Sequence, residues 1–266
     1  MKKTAIALGA LVAFGSLPLH AETVSDLSGW LVEGDGTWTY DVEQNSWYQS
    51  ENTPEASYLY DPTGESLGKA ISGSITVTGS DDDMIGFVVG YDSGENASSD
   101  ANYLLMSWKG LNQNGWLEGM RLWHITDAMT LEETRSRGDN VWEPGTNSGM
   151  TLLDTATNLG STGWDKNESY TFDIAYNGSY LAIFVNDELE MSIAPGDAGL
   201  ETFEEGSFGF YNFSQGGVTY GSVIYDDVEV LIDDEKFANL ANAVPFEGAG
   251  LATLAALGFA GFRRKK

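Results

Sequence analysis

The residues most ready for chemistry lie in "SDDDMIGFVVGY", Ser80 to Tyr91. Asp81, Asp82 and Asp83 stand side by side at the mouth of a strongly apolar run. Adjacent like charges repel, so the triplet is either fully solvated or shares a positive partner. Crowded carboxylate oxygens suit a hard divalent cation, and calcium accepts six to eight of them in flexible geometry. In an extended segment alternate side chains face opposite ways. Asp81 and Asp83 would then reach one ion, and Asp82 a second ion or solvent. Asp226 and Asp227, ending a later strand-like run, are the next oxygen donors expected at that edge.

Other residues offer other chemistry. Glu188 and Glu190 lie two apart, hence on one face of a strand. Two carboxylates roughly 5 Å apart are what a retaining glycosidase needs, so a polysaccharide-active hydrolase is the rival reading. The pair follows a turn, where acidic side chains are normally solvated, and it lacks a third acidic partner. "EGDGTW" (Glu33–Trp38) also carries carboxylates but reads equally as a turn before a strand. His124 sits in the strand-like "RLWHIT" with no nucleophile-elbow pattern, which favours a structural role. The chain has no cysteine and only one other histidine, His20, so a zinc or copper site is excluded on ligand type. Trp116, in the polar, Gly-flanked "LNQNGWLEG", either stacks on a sugar ring or packs within its loop.

The elements that must position these residues are short strands punctuated by Gly, Asn and Asp. "ISGSITVTG" (Ile71–Gly79) alternates apolar and polar residues as a half-buried strand does, and "MIGFVVGY" suits an inner strand. "NYLLMSWKG" and "GMRLWHIT" follow, then "GSFGFYNFSQ" and "VTYGSVIYDDVEVLI". Between Tyr170 and Ile193 two turns, at Asn177-Gly178 and Asn186-Asp187, predict a three-stranded meander. Ala128–Arg137 holds one short helical turn. The regular spacing points to an all-β antiparallel sandwich.

The two ends differ from this body. Residues 1–21, "MKKTAIALGALVAFGSLPLHA", have the basic start, short apolar run and small-residue cleavage site of a secretory signal peptide. Residues 233–243 read as a polar linker. Residues 244–266 place a short Pro-Phe-Glu motif before an apolar run from Gly248 to Phe262 and four terminal cations. That tail resembles the bacterial PEP-CTERM sorting tail, with Pro-Phe-Glu in place of Pro-Glu-Pro. It is expected to hold the protein at a bacterial surface before processing, and to be its one membrane contact.

Between the ends, residues 22–243 carry seven cations (Lys69, Lys109, Arg121, Arg135, Arg137, Lys166, Lys236) and every carboxylate except Glu247. Seven cations against 39 of the chain's 40 carboxylates give this body a formal charge of −32. Such a surface repels phosphates, which excludes nucleic acid as a partner and leaves cations as natural ones.

Four pieces in order carry a family resemblance: "DDDMIGFVVGY", "YLLMSWK", "STGWDKNESYTF" and "GSFGFYNFSQGGVTYGSVIYDD". Together, over about residues 27–231, they resemble the C-terminal lectin-like domain of thrombospondins. The resemblance implies a jelly roll of the concanavalin A-like and laminin-G type over residues 22–232, with calcium at one edge. It implies adhesion or matrix contact without catalysis. With the residue reading above, that makes Asp81, Asp82 and Asp83 the expected calcium ligands and Asp226 and Asp227 the next choice; Trp116, from its loop alone, is the candidate ligand contact beside the packing alternative. The expected partner is an extracellular glycan or matrix protein.

Overall fold

The computed structural model describes residues 24–113, 116–138 and 149–227. The expected leader, linker and tail lie outside the described residues. The strands, in chain order, are β1 (Leu31–Gly34), β2 (Trp38–Asp41), β3 (Ser46–Gln49), β4 (Ala56–Tyr60), β5 (Lys69–Val77), β6 (Met84–Tyr91) and β7 (Tyr103–Lys109). Then come β8 (Gly119–Ile125), helix α1 (Leu131–Arg137), β9 (Met150–Thr155), β10 (Ser169–Tyr176) and β11 (Leu181–Val185). The last are β12 (Glu188–Ile193), β13 (Ser207–Phe213) and β14 (Val218–Asp227). They form two seven-stranded antiparallel sheets, ordered β1-β4-β13-β6-β7-β8-β9 and β12-β11-β10-β5-β14-β3-β2. This is the expected sandwich, and no helix among the described residues is long and apolar enough to cross a membrane.

The two periodicities of the sequence have separate causes. β5 alternates buried and half-buried positions because only one of its faces meets the other sheet. β7 is buried at every residue. Leu104, Met106 and Trp108 point into the inter-sheet core with Phe87, Phe172 and Phe210. Tyr103 and Leu105 point the other way, into a second layer with Tyr58, Tyr91, Trp123 and Tyr211 on the sheet's outer face. Strands covered on both faces lose their alternation, hence the continuous apolar runs. Met129, just before α1, belongs to that outer layer, and the backbone N–H of Leu131 is held by Glu55 Oε1 at 2.9 Å.

The meander of β10, β11 and β12 forms as expected, but its turns exchange character. Asn177-Gly178 is not a two-residue hairpin turn. Tyr176 pairs with Leu181, and Asn177 Oδ1 accepts from the backbone N–H of Ser179 and Tyr180 across a four-residue loop. The tight turn is Asn186-Asp187, where both residues have positive φ (47° and 69°), as a type I′ hairpin requires. Four short strands, β1 to β4, and β9 are absent from the sequence reading.

Candidate functional site

The triplet Asp81–Asp83 is not itself strand. It is a three-residue approach to β6, so the two-fold alternation does not govern it. One ligand atom from each carboxylate lies within 4.8 Å of the others. All three converge, which corrects the expected split of Asp81 and Asp83 from Asp82. The spread is one that a single ion with oxygen ligands at 2.3–2.6 Å spans.

The positive partner is already present on the inner side. Lys109 ends β7 directly opposite Met84, so its side chain reaches back to the residues just before β6. It is only 2% exposed, and its Nζ donates to Asp83 Oδ1 at 3.0 Å and to Asp82 Oδ1 at 3.1 Å. Nζ also reaches the Asp82 carbonyl at 3.1 Å. Asp83 is 5% exposed, and its backbone N–H donates to Gln215 Oε1 at 3.0 Å. Burial pushes the Asp83 carboxyl above its ordinary value; the Lys109 ammonium opposes that shift without cancelling it. Trp164 ties the segment down further, its Nε1 donating to the carbonyls of Asp83 and Trp108, each at 3.1 Å.

Asp81, on the solvent side of the cluster, lines an open cleft of about 480 Å³ with Tyr48, Ser50, Asn52, Gly79, Ser80, Gly216 and Gly217. Asn52 Nδ2 donates to Asp81 Oδ2, and Asn52 Oδ1 accepts from Ser214 Oγ at 2.9 Å. The cleft wall is a close backbone contact. A Cβ on Gly79 would stand 1.8 Å from the Gly216 carbonyl oxygen, so only glycine fits there. Among the described residues the groups lining this cleft are hydroxyl, carboxylate, carboxamide and backbone, with no His or Cys, which fits a hard cation on the solvent side of the triplet. Lys109 lowers the formal charge that such an ion would meet from three to two.

The other expected residues are elsewhere. Asp226 and Asp227 pair with Ala70 and Lys69 at the far end of β5, whereas the triplet lies beyond Val77. At about 3.3 Å per residue they are roughly 25 Å from it, so they belong to a different edge. Trp116 is half-buried, closes a tight loop through two backbone hydrogen bonds with Gln113, and lines neither this cleft nor the one described next. His124 Nε2 lies 2.7 Å from Asn102 Oδ1, and burial pushes its pKa down. Glu33 is a clasp. It accepts from Tyr60 OH, Tyr91 OH, Ser93 Oγ and the Gly94 N–H, which together outweigh burial and hold its carboxyl below the ordinary value.

Glu188 and Glu190 do line one cleft, of about 400 Å³, with Trp108, Asn158, Leu159, Tyr170, Val185 and Asn186. They are not an equivalent pair. The β11–β12 register slips between Ile183 and Phe184, so Glu190 is the extra residue of a β-bulge. It turns inward, 2% exposed. Its Oε2 accepts from the N–H groups of Asn158 (2.9 Å) and Leu159 (3.0 Å), and its Oε1 from Asn158 Nδ2 (3.4 Å). Glu188, on the turn, is exposed. Glu190 therefore anchors a loop.

Known proteins match at two levels. No curated protein matches the chain. Among solved structures, the carbohydrate binding module CBM66 from Bacillus subtilis shares the fold at TM-score 0.50 and 14% identity, covering 74% of this chain and 95% of its own. A Bacillus subtilis protein of unknown function with a galectin-like fold shares it at TM-score 0.53 and 11% identity, covering 77% and 92%. The family model described as the thrombospondin C-terminal region matches residues 66–227. That span runs from β5 to the end of β14 and takes in the acidic triplet, Lys109, the Glu188–Glu190 cleft and all of the acidic cleft except Tyr48, Ser50 and Asn52; the chain belongs to the thrombospondin C-terminal region family.

Proposed function

We propose that this protein is a calcium-binding, lectin-like module that recognises extracellular glycan without catalysing a reaction. The observation that carries the reading is the convergence of three carboxylates at the mouth of an open, oxygen-lined cleft. It is supported by the sandwich shared with a carbohydrate binding module, and by a body whose charge attracts cations. Asp81 and Asp82 would hold the ion from the solvent side, with Asn52 and Ser214 beside them. Asp83 stays with Lys109. Bound there, the ion would neutralise the cluster and fasten the loop that forms the cleft mouth. The hydrolase reading has one cleft lined by two glutamates in its favour, but Glu190 is committed to the Asn158–Leu159 turn. That leaves Glu188 without the second working carboxylate such chemistry needs.

On an array of neutral and charged glycans the full chain should bind a subset in millimolar calcium and lose that binding in chelator. Equal binding in both would remove calcium from the recognition step. Release of sugar from a bound polysaccharide would restore the enzyme reading.

Export and surface retention belong to the same proposal. Deleting residues 244–266 should move the protein from the cell envelope into the medium, and an unchanged partition would remove the sorting role.

A further inference from the structure

We propose that the cleft between the β11–β12 turn and the 157–162 turn is the seat of a neutral saccharide ring. The proposal rests on the lectin reading above and assigns the sugar to a different cleft from the cation. Among the described residues the acidic cleft has a glycine-lined wall and Tyr48 as its one aromatic. The second cleft has what a sugar needs. Trp108 and Tyr170 meet edge-to-face at 4.6 Å, beside Leu159 and Val185. Trp108 is buried and fixed by its Nε1 bond to the Thr162 carbonyl at 2.8 Å; Tyr170 is fixed by the Asp165 N–H donating to its hydroxyl at 2.6 Å. Half-buried Tyr170 offers the accessible ring of this apolar floor, and Trp108, 3% exposed, backs it from the core; both are pinned, so the floor costs no ordering on binding.

The rim supplies polar groups of both senses. The bonds of the described residues leave the Glu188 carboxylate, Asn158 Oδ1 and Asn186 Nδ2 for a ligand; Asn186 Oδ1 is held by Thr171 at 3.0 Å. A carboxylate beside carboxamides, over an aromatic floor, matches adjacent hydroxyls on a ring with apolar C–H faces. The buried Glu190 carboxylate fixes Asn158 by its backbone, so the rim is preorganised. Other ligand classes fit worse. An anion would meet Glu188 and Glu190, and a hard cation needs six to eight oxygens where one uncommitted carboxylate stands. At about 400 Å³ the cleft lies at the small end of ligand sites, a size for one or two rings.

The test uses the full chain on an array of neutral oligosaccharides, comparing the parent with Glu188→Gln and Asn158→Ala. Glu188 is exposed, so Glu188→Gln should keep its melting temperature, whereas Asn158→Ala also gives up its 3.4 Å bond to Glu190; melting is measured alongside for both, and Glu188→Gln carries the test if Asn158→Ala is destabilised. The expected result is a loss of about tenfold or more in affinity for the glycans the parent binds, the scale of one charge-assisted hydrogen bond. Parent-like binding by both variants would overturn this seat while leaving the lectin reading intact. No binding of any neutral glycan by the parent would overturn the seat, and only a parent that also ignores the charged glycans would overturn the lectin reading with it.

Discussion

Replacing Lys109 with methionine should lower the melting temperature by about 10 °C at neutral pH. The ammonium is buried against Asp82 and Asp83, and removing one partner of a buried ion pair costs about 3–5 kcal/mol because the other charge stays behind uncompensated. In a domain of this size each kcal/mol moves the midpoint by about 2–4 °C. The loss should depend on pH with a definite sign. The Asp83 carboxyl in the fold already lies above its unfolded value of 3.8, so the folded chain binds that proton more tightly. A raised carboxyl costs stability at all pH values above its folded pKa, and the cost fades as pH falls through that value towards 3.8. Without Lys109 the folded value rises further, so the penalty of the variant should be full at neutral pH and shrink through the acid range. Adding Asp83→Asn to Lys109→Met removes the orphaned charge and should recover most of the loss. Melting within about 2 °C of the parent at neutral pH would mean the lysine is not the counterion that holds this segment.

Lys109 also shows why the site was only half legible. The triplet itself stands out because like charges rarely crowd at a strand mouth without a partner. Its partner is 26 residues away and is revealed only by register: Lys109 lies across from Met84 once β6 and β7 pair. A buried lysine reads in sequence as an ordinary polar strand end. Its one visible signal is scarcity, since the body has only seven cations and this one closes an otherwise apolar strand. The placement of Asp226 and Asp227 failed for a related reason. Their strand starts beside the triplet at Val218, but ten extended residues carry its end to the other side of the sandwich. Long strands such as β5, β6 and β7 were legible because burial on one or both faces writes a period or a run into them. β1, β2 and β3 have four residues each, too few to show a period, and much of their length is exposed. The bulge at Glu190 was not legible either. Glu188 and Glu190 share a face only in a regular strand, and the register slip sends one into the interior and leaves the other in water.

Calcium should raise the melting temperature of the parent by roughly 3–10 °C at ten to a hundred times the dissociation constant. Ligand that binds only the fold stabilises it by RT ln(1 + [L]/Kd), about 1.4–2.7 kcal/mol over that range, and the conversion per kcal/mol is the one used above. A constant on the order of 10⁻⁴ to 10⁻³ M is what extracellular calcium modules show, so a titration from about 1 to 100 mM ion covers that range. The variant that discriminates is Asp81→Asn with Asp82→Asn. Asp81 faces the cleft and Asp82 is partly exposed, so both can be neutralised without stranding Lys109, which keeps Asp83. That double variant should melt at one temperature with calcium or chelator. Neutralising Asp83 instead would confuse lost metal with a lost ion pair. Lys109→Met supplies a second, opposite test. It raises the formal charge facing the ion from two carboxylates' worth to three, and affinity follows ligand charge. Its own calcium-dependent shift should therefore exceed the parent's even though its metal-free form is less stable. A parent that ignores calcium would leave the triplet satisfied by Lys109 alone. A full response in the Asp81→Asn, Asp82→Asn variant would move the ion to another edge of the sandwich.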